Sequence, residues 1–295
     1  MMLGALNDAE GAFVPNGLPA IVDCHVHVFP SGLFKAIWAW FDRFAWPIRY
    51  QLGSKEIIEF LLARGIGHVV AFQYAHKPGI AADLNQYMAR LCRKYPGQVT
   101  GMATVFPGEP DSGIILKNAF DMGLAGVKLH AHVQCFDMNS TDMEIVYDAC
   151  CAAGKPLVMH VSREPKSPAY NCDPHLLCCA GKLESVLNAF PDLKVCVPHL
   201  GIDEFDAYKA LIERYDTLWL DTAMALADYF PIAPPYCLDE LRWDRVMYGS
   251  DFPNIPYAWD RELKRIDAEN YNERFLKRFL ADNAREFFNI RPPSP

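Results

Sequence analysis

The 295-residue chain predicts an α/β fold, a (β/α)8 or TIM barrel, and three observations carry that expectation. Eight short apolar, β-branched segments recur along its whole length. Apolar stripes at helical spacing lie between most of them, as consecutive βα units require. The strand segments are nearly unbroken apolar runs, as a parallel sheet buried on both faces demands. An open doubly wound sheet is the competing arrangement, weakened because no Gly-rich phosphate loop follows the first strand. No low-complexity linker divides the chain, so one domain is expected over 1–295, with a barrel core at about 20–290.

In order, the strand segments are AIVDCHVH, GHVVAFQ, VTGMATV, LAGVKLHAH, KPLVMHV, KVCVPHLG, TLWLDTA and RVMYGSDF. The helical patterns between them include SKEIIEFLLARG, AADLNQYMARLCRKY, DSGIILKNAFDMG and TDMEIVYDACCAAG. Several begin at Ser, Thr or Asp and end at Gly, as helix caps require. In the first of them Ile57, Ile58, Leu61 and Leu62 form one apolar stripe. Two features exceed a minimal barrel. Segment 29–53 is a long aromatic connection after the first strand, holding three of the six tryptophans. It reads as a pocket wall and lid, as a subunit contact in a homodimer, or as an extra helix on the barrel mouth. Near the C-terminus, YNERFLKRFLADNAREFF carries Phe275, Leu276, Phe279, Leu280, Phe287 and Phe288 as a closing amphipathic helix that packs the core.

Composition is that of an ordinary globular protein, 51% hydrophobic and 22% charged. The net charge of −8, with no basic run or arm, argues against nucleic-acid or anionic-membrane partners. No apolar run approaches membrane-spanning length, and the first twenty residues lack the pattern of a signal peptide. The ten scattered cysteines read as buried hydrophobes or free thiols in a reducing cytoplasm. CDPHLLCC gathers Cys172, His175, Cys178 and Cys179, but its spacing matches no standard zinc module, and a loop with free thiols is the better reading.

The chemistry lies at the strand ends. His25 and His27 share one face of the first strand with Asp23, about 6.6 Å apart at ~3.3 Å per residue, so both imidazoles can converge on one ion. The fourth strand offers Lys128, His130 and His132 at period two; the fifth ends in His160, the sixth in His199 and the eighth in Asp251. A lone histidine at any of these places reads as a satisfied core residue. Together, at the C-terminal strand ends of one barrel, they surround a single mouth.

The stretches DCHVH, GVKLH, VMHV, VPHLG and YGSDFP, in that order, with DNAREFFNI as a closing helix, resemble the amidohydrolase superfamily and its amidohydrolase 2 branch. The resemblance implies that His25, His27, His160 and Asp251 bind a divalent metal, most naturally Zn2+. His199 would bind a second metal or help activate water and polarise substrate. Lys128 would bridge two metals as a carboxylated lysine or, with one metal, pair with a carboxylate. Ala131 stands where such relatives often carry proline, and Asn254 where they often carry histidine.

The physical logic is metal-assisted hydrolysis. An open coordination position brings bound water from a pKa of ~15.7 towards ~7, and Asp251 can accept its proton as it attacks a carbonyl. His199 or the ion would stabilise the oxyanion. The expected enzyme is thus a metal-dependent hydrolase of a small amide, lactone or ester, with His130, His132 and Arg163 as substrate contacts. The alternative is a zinc-dependent non-oxidative decarboxylase of a small unsaturated or aromatic acid, similar to the aminocarboxymuconate semialdehyde decarboxylase group. That chemistry wants a cation for the substrate carboxylate, and Arg43, Arg49, Arg163 and Lys166 are available.

Overall fold

The computed structural model of the protein describes residues 4–164, 166–229 and 238–291. β1 (Ile21–His27) leads through α1 (Ser31–Phe44) and α2 (Ser54–Ala63) to β2 (Ile66–Phe72). Next come α3 (Ala81–Cys92), β3 (Val99–Gly101) and α4 (Ser112–Asp121). β4 (Val127–His130) runs into the single-turn α5 (Ala131–Gln134), then α6 (Thr141–Ala153). β5 (Leu157–His160) precedes α7 (Pro174–Leu177) and α8 (Ala180–Ala189), and β6 (Val195–Val197) precedes α9 (Phe205–Arg214). β7 (Leu218–Asp221) and β8 (Val246–Met247) complete the strands. After α10 (Arg261–Ala268), α11 (Glu273–Lys277) and α12 (Asn283–Phe288) are joined by a π turn over Arg278–Asp282.

All eight expected strands form, each paired in parallel with its sequence neighbour, as β1-β2-β3 and β4-β5-β6-β7-β8. Backbone hydrogen bonds close both seams. The Lys128 amide donates to the Ala103 carbonyl at 2.8 Å between β3 and β4. Between the end of β8 and β1, the His27 amide donates to the Phe252 carbonyl at 2.8 Å and the Asp251 amide to the His25 carbonyl at 2.9 Å. Eight parallel strands thus make one ring, the barrel the alternating pattern implies.

The interior is packed from below. Val22, Cys24, Val70, Phe72, Met102, Val158, Cys196, Trp219 and Met247 form one buried cluster with Ala281, Ala284, Phe287 and Phe288 of the C-terminal helices. The closing amphipathic segment is therefore the plug of the barrel, and its buried aromatic side chains pack against the strand residues of the lower interior.

Strict alternation along β1 does not hold. Its register against β2 shifts between Asp23 and Val26. The shift lets Cys24 pack in the lower interior while His25, the next residue, also turns to the upper interior. Gly249 makes this possible: a Cβ there would lie 2.6 Å from His25 Cβ, so only glycine allows the end of β8 to approach so closely. The aromatic segment 29–53 is an insertion between β1 and α2, and its first half is the helix α1, with Phe34 its one buried residue. Trp46 anchors the second half, its indole N–H donating to the Asn254 carbonyl at 2.7 Å. Among the described residues no helix is long and apolar enough to cross a membrane.

Candidate metal centre

Three side chains converge where β1 ends. His25 Nε2 and His27 Nε2 are 3.2 Å apart. Asp251 Oδ1 lies 3.3 Å from His25 Nε2 and 3.0 Å from His27 Nε2. All three residues are buried. Asp251 adopts a left-handed backbone at φ 62°, uncommon for a residue with a side chain and costly unless the surroundings enforce it.

His25 Nδ1 donates to Asp221 Oδ2 at 2.8 Å, which leaves a lone pair on Nε2 facing the Asp251 carboxylate. Asp221 is itself fixed, since its Oδ1 accepts from the His199 and Ala223 amides, both at 3.1 Å. His27 Nδ1 is buried with no partner. One proton on His27 Nε2 cannot serve both the carboxylate and the His25 lone pair, so the trio calls for a cation. Donors ~2.1 Å from a divalent ion stand ~3.0 to ~3.4 Å from one another in octahedral or tetrahedral arrangements, the spacing of these atoms. The residues fit the metal that the resemblance implies.

Electrostatics agree. Burial and the nearby Lys128 hold His25 well below the usual imidazole range, a neutral ligand. Burial alone would raise Asp251, but the hydrogen bond and charge of His27 hold it below the usual carboxylate range. Asp23 takes no part in the trio: it accepts from the Ser250 amide at 3.0 Å, the Ser250 hydroxyl at 2.6 Å and the His25 amide at 3.2 Å. Burial nonetheless pushes its carboxyl up to about 7. Its work is to tie β8 to β1 beneath the histidines.

A second group stands beside the first: one nitrogen each from His130, His132 and His160 lies within 4.8 Å of the others. His160 sits here rather than among the first three donors. Its Nδ1 faces His199 Nε2 at 3.2 Å and its Nε2 is 3.4 Å from Glu164 Oε2. His132 is not on the strand, as period two suggested, but in α5. The chain turns there because Gln134 Oε1 accepts from the His130 amide at 2.8 Å. His199 follows β6 in a left-handed conformation at φ 58°, its Nδ1 donating to the Ala223 carbonyl at 2.7 Å and its ring 5.4 Å from that of His25.

Lys128 is fully buried between these groups, its Nζ without a hydrogen-bond partner and 4.9 Å from the Phe72 ring centre. Burial pulls its pKa down to about 8 against the attraction of Asp221 and Asp251. The surface cations are engaged elsewhere. Arg163 has a half-exposed guanidinium 3.9 Å from Glu204, Arg49 pairs with Asp8 and Glu10, Lys166 pairs with Asp173, and Arg43 lies over Phe44. In CDPHLLCC, Cys178 donates to the Pro174 carbonyl and His175 Nε2 bonds to the Glu164 carbonyl.

Sequence reasoning missed Asp221 and Glu164. Asp221 ends β7, so the strand-end criterion that found Asp251 could have found it. Glu164 lies in the loop after β5, where no pattern marks it.

A buried His–His–Asp trio at the C-terminal mouth of a (β/α)8 barrel is the donor set that a metal site of an amidohydrolase-type enzyme requires. The Amidohydro_2 family model, described as Amidohydrolase, matches residues 22–290, and the chain belongs to that family. Among solved structures it is similar to 5-carboxyvanillate decarboxylase from Novosphingobium aromaticivorans, complexed with manganese and a nitrobenzoic acid. That match has TM-score 0.68 and 16% identity, covering 95% of this chain and 100% of that one. An amidohydrolase II matches with TM-score 0.67 and 20% identity, over 92% of this chain and 100% of that one. The 2,6-dihydroxybenzoate decarboxylase from Rhizobium matches with TM-score 0.62 and 18% identity, over 92% and 99%.

Proposed function

We propose that the protein is a divalent-metal-dependent, non-oxidative decarboxylase of a small aromatic or unsaturated carboxylic acid, acting in the cytoplasm. The observation that carries this reading is an aromatic wall set against both histidine groups. The Tyr74 ring centre is 5.8 Å from that of His27 and 5.2 Å from that of His130. Tyr170 is 5.4 Å from His132, and Trp40 of α1 is 5.8 Å from Tyr170. Half-buried rings beside a polar centre suit a flat acid that stacks while its oxygens meet charge. The decarboxylases of ring acids among the similar structures support the same choice.

His25, His27 and Asp251 would hold the ion, which when bound supplies positive charge to the acid's oxygens. Zinc suits the imidazole donors, and manganese occupies one similar structure. Loss of carbon dioxide leaves an electron pair on the ring carbon, and a proton must reach it. His199 is arranged to deliver one: its Nδ1–H is committed to the Ala223 carbonyl, so Nε2 is the exchanging position. Asp251, held ionised, can take a proton from a substrate hydroxyl or from water. That second option also supports the hydrolytic reading, in which the substrate is an amide, lactone or ester.

Metal-loaded protein incubated in D2O with carboxyl-labelled hydroxybenzoates tests the choice. Labelled carbon dioxide and one deuterium at the vacated ring carbon are expected. Turnover of lactones or amides, with no carbon dioxide from any acid, would overturn decarboxylation.

A further inference from the structure

We propose that Cys135 and Cys172 are an oxidisable pair whose disulfide pins the loop after β5 onto α5. The inference is independent of the reaction the enzyme catalyses.

Cys135 caps the C-terminus of α5, and Cys172 lies in the loop between β5 and α7. Both thiols converge on one acceptor, donating to the His132 carbonyl at 3.8 Å from Cys135 Sγ and 3.7 Å from Cys172 Sγ. Capping an orphan helix carbonyl needs only one donor, and a thiol is a weak one, so the cap alone does not explain two cysteines. The two thiols are also hydrogen-bonded to each other. A sulfur pair in contact across two separate segments has the approach a disulfide needs, and the last closure to ~2.05 Å falls to the loop side chain. Among the described residues neither cysteine belongs to a group of three or more donors close enough to hold a metal. The remaining chemistry of two adjoining thiols is oxidation.

Both are half-buried, within reach of a small oxidant. Burial and the Cys135 contact push the Cys172 thiol up to about 12, so the resting pair in a reducing compartment is the dithiol. The co-reactant is a hydroperoxide. One sulfur, as thiolate, attacks a peroxide oxygen: an S–O bond forms, the O–O bond breaks, and the leaving hydroxide takes up the thiol's proton as water. The second sulfur then attacks the sulfenic acid: an S–S bond forms, the S–O bond breaks, and a second water leaves with the second thiol's proton. Together the two thiols lose two electrons, and the peroxide gains them.

The consequence reaches the mouth of the barrel. Asn171 alone separates Cys172 from Tyr170, whose hydroxyl donates to Glu164 Oε1 at 3.0 Å and whose ring is 5.4 Å from that of His132 in α5. A covalent bond from Cys172 to the end of α5 therefore holds Tyr170 against His132, where the dithiol leaves that loop tied by weaker contacts.

The test treats the full chain, as purified, with hydrogen peroxide, quenches with catalase and maps its peptides without reduction. A peptide pair joined through Cys135 and Cys172 is expected, with the thiols of the unfolded chain falling by two from ten. Dithiothreitol should restore all ten. Neither Cys135→Ser nor Cys172→Ser should form a cross-link. Amide exchange across 166–172 should slow about 10-fold in the oxidised chain, since local opening of the loop then has to work against a covalent tether. Joining of Cys172 to Cys178 or Cys179 instead would overturn the pairing. So would both cysteines ending as sulfonic acids, or a cross-link that survives in either serine variant. Unaltered exchange across 166–172 would overturn the pin. The wild-type map decides the pairing by itself if a serine variant does not fold.

Discussion

Replacing Lys128 by Met is expected to stabilise the metal-free protein at neutral pH. The lysine is fully buried, and its Nζ has no hydrogen-bond acceptor and lies 4.9 Å from the Phe72 ring centre. Burial lowers its pKa from 10.5 to about 8, although Asp221 and Asp251 pull the other way. At ~1.36 kcal/mol per pH unit, that drop is worth about 3 kcal/mol. A folded-state pKa below the unfolded value means the folded chain binds this proton less tightly. The cost is therefore complete below about pH 8, where both states are protonated, and is relieved as pH rises towards 10.5. Methionine keeps an unbranched apolar side chain in the same space and has no charge to bury. For a chain of this size, 3 kcal/mol moves the midpoint of thermal unfolding by about 6 °C. Urea unfolding of wild type and Lys128→Met, both chelated, at pH 7 and pH 10.5 measures the difference. The variant should lead at pH 7 and lose its lead at pH 10.5. Equal or lower stability at pH 7, or a gap that persists at high pH, would refute the reasoning.

Three further outcomes are expected. Asp221→Asn removes the carboxylate that sets the His25 tautomer, and should weaken binding of the ion about 10- to 100-fold in a competitive chelator titration. Asp251→Asn keeps an oxygen near the ion but not the base, so turnover should fall about 10²- to 10⁴-fold while much of the metal is retained. Near-normal turnover at full metal content would remove Asp251 from the chemistry. Tyr74→Leu takes away the ring between His27 and His130, and should raise KM for aromatic acids while an unsaturated acyclic acid is affected less. Equal losses for both would remove Tyr74 from ring recognition.

The pattern of the chain was enough to place eight strands and most helices, because alternation and helical spacing are local properties that burial on both faces imposes. It was also enough to mark His25, His27 and Asp251, since polar residues at the ends of apolar strands are conspicuous. Insertion 29–53 was visible as aromatic, but its helix competed with two other readings: a stripe of rings can cover a mouth in several ways. The plug formed by Phe287 and Phe288 was legible as an amphipathic face and not as the floor of the barrel.

What only the tertiary structure decided is which of these residues meet. Period two put Asp23 with the histidines of β1 and His132 on a strand. The register shift between Asp23 and Val26, and the turn held by Gln134, placed both elsewhere. His160 fell beside His130 and His132 because β4 and β5 pair His130 directly with His160, a consequence of strand register across the chain. Asp221 and Glu164 gained their roles only from partners 196 and 32 residues away, His25 and His132. Identity and spacing along the chain determine what each side chain can do chemically. Closure of the ring brings distant strand ends within ångströms and so determines which of them act together.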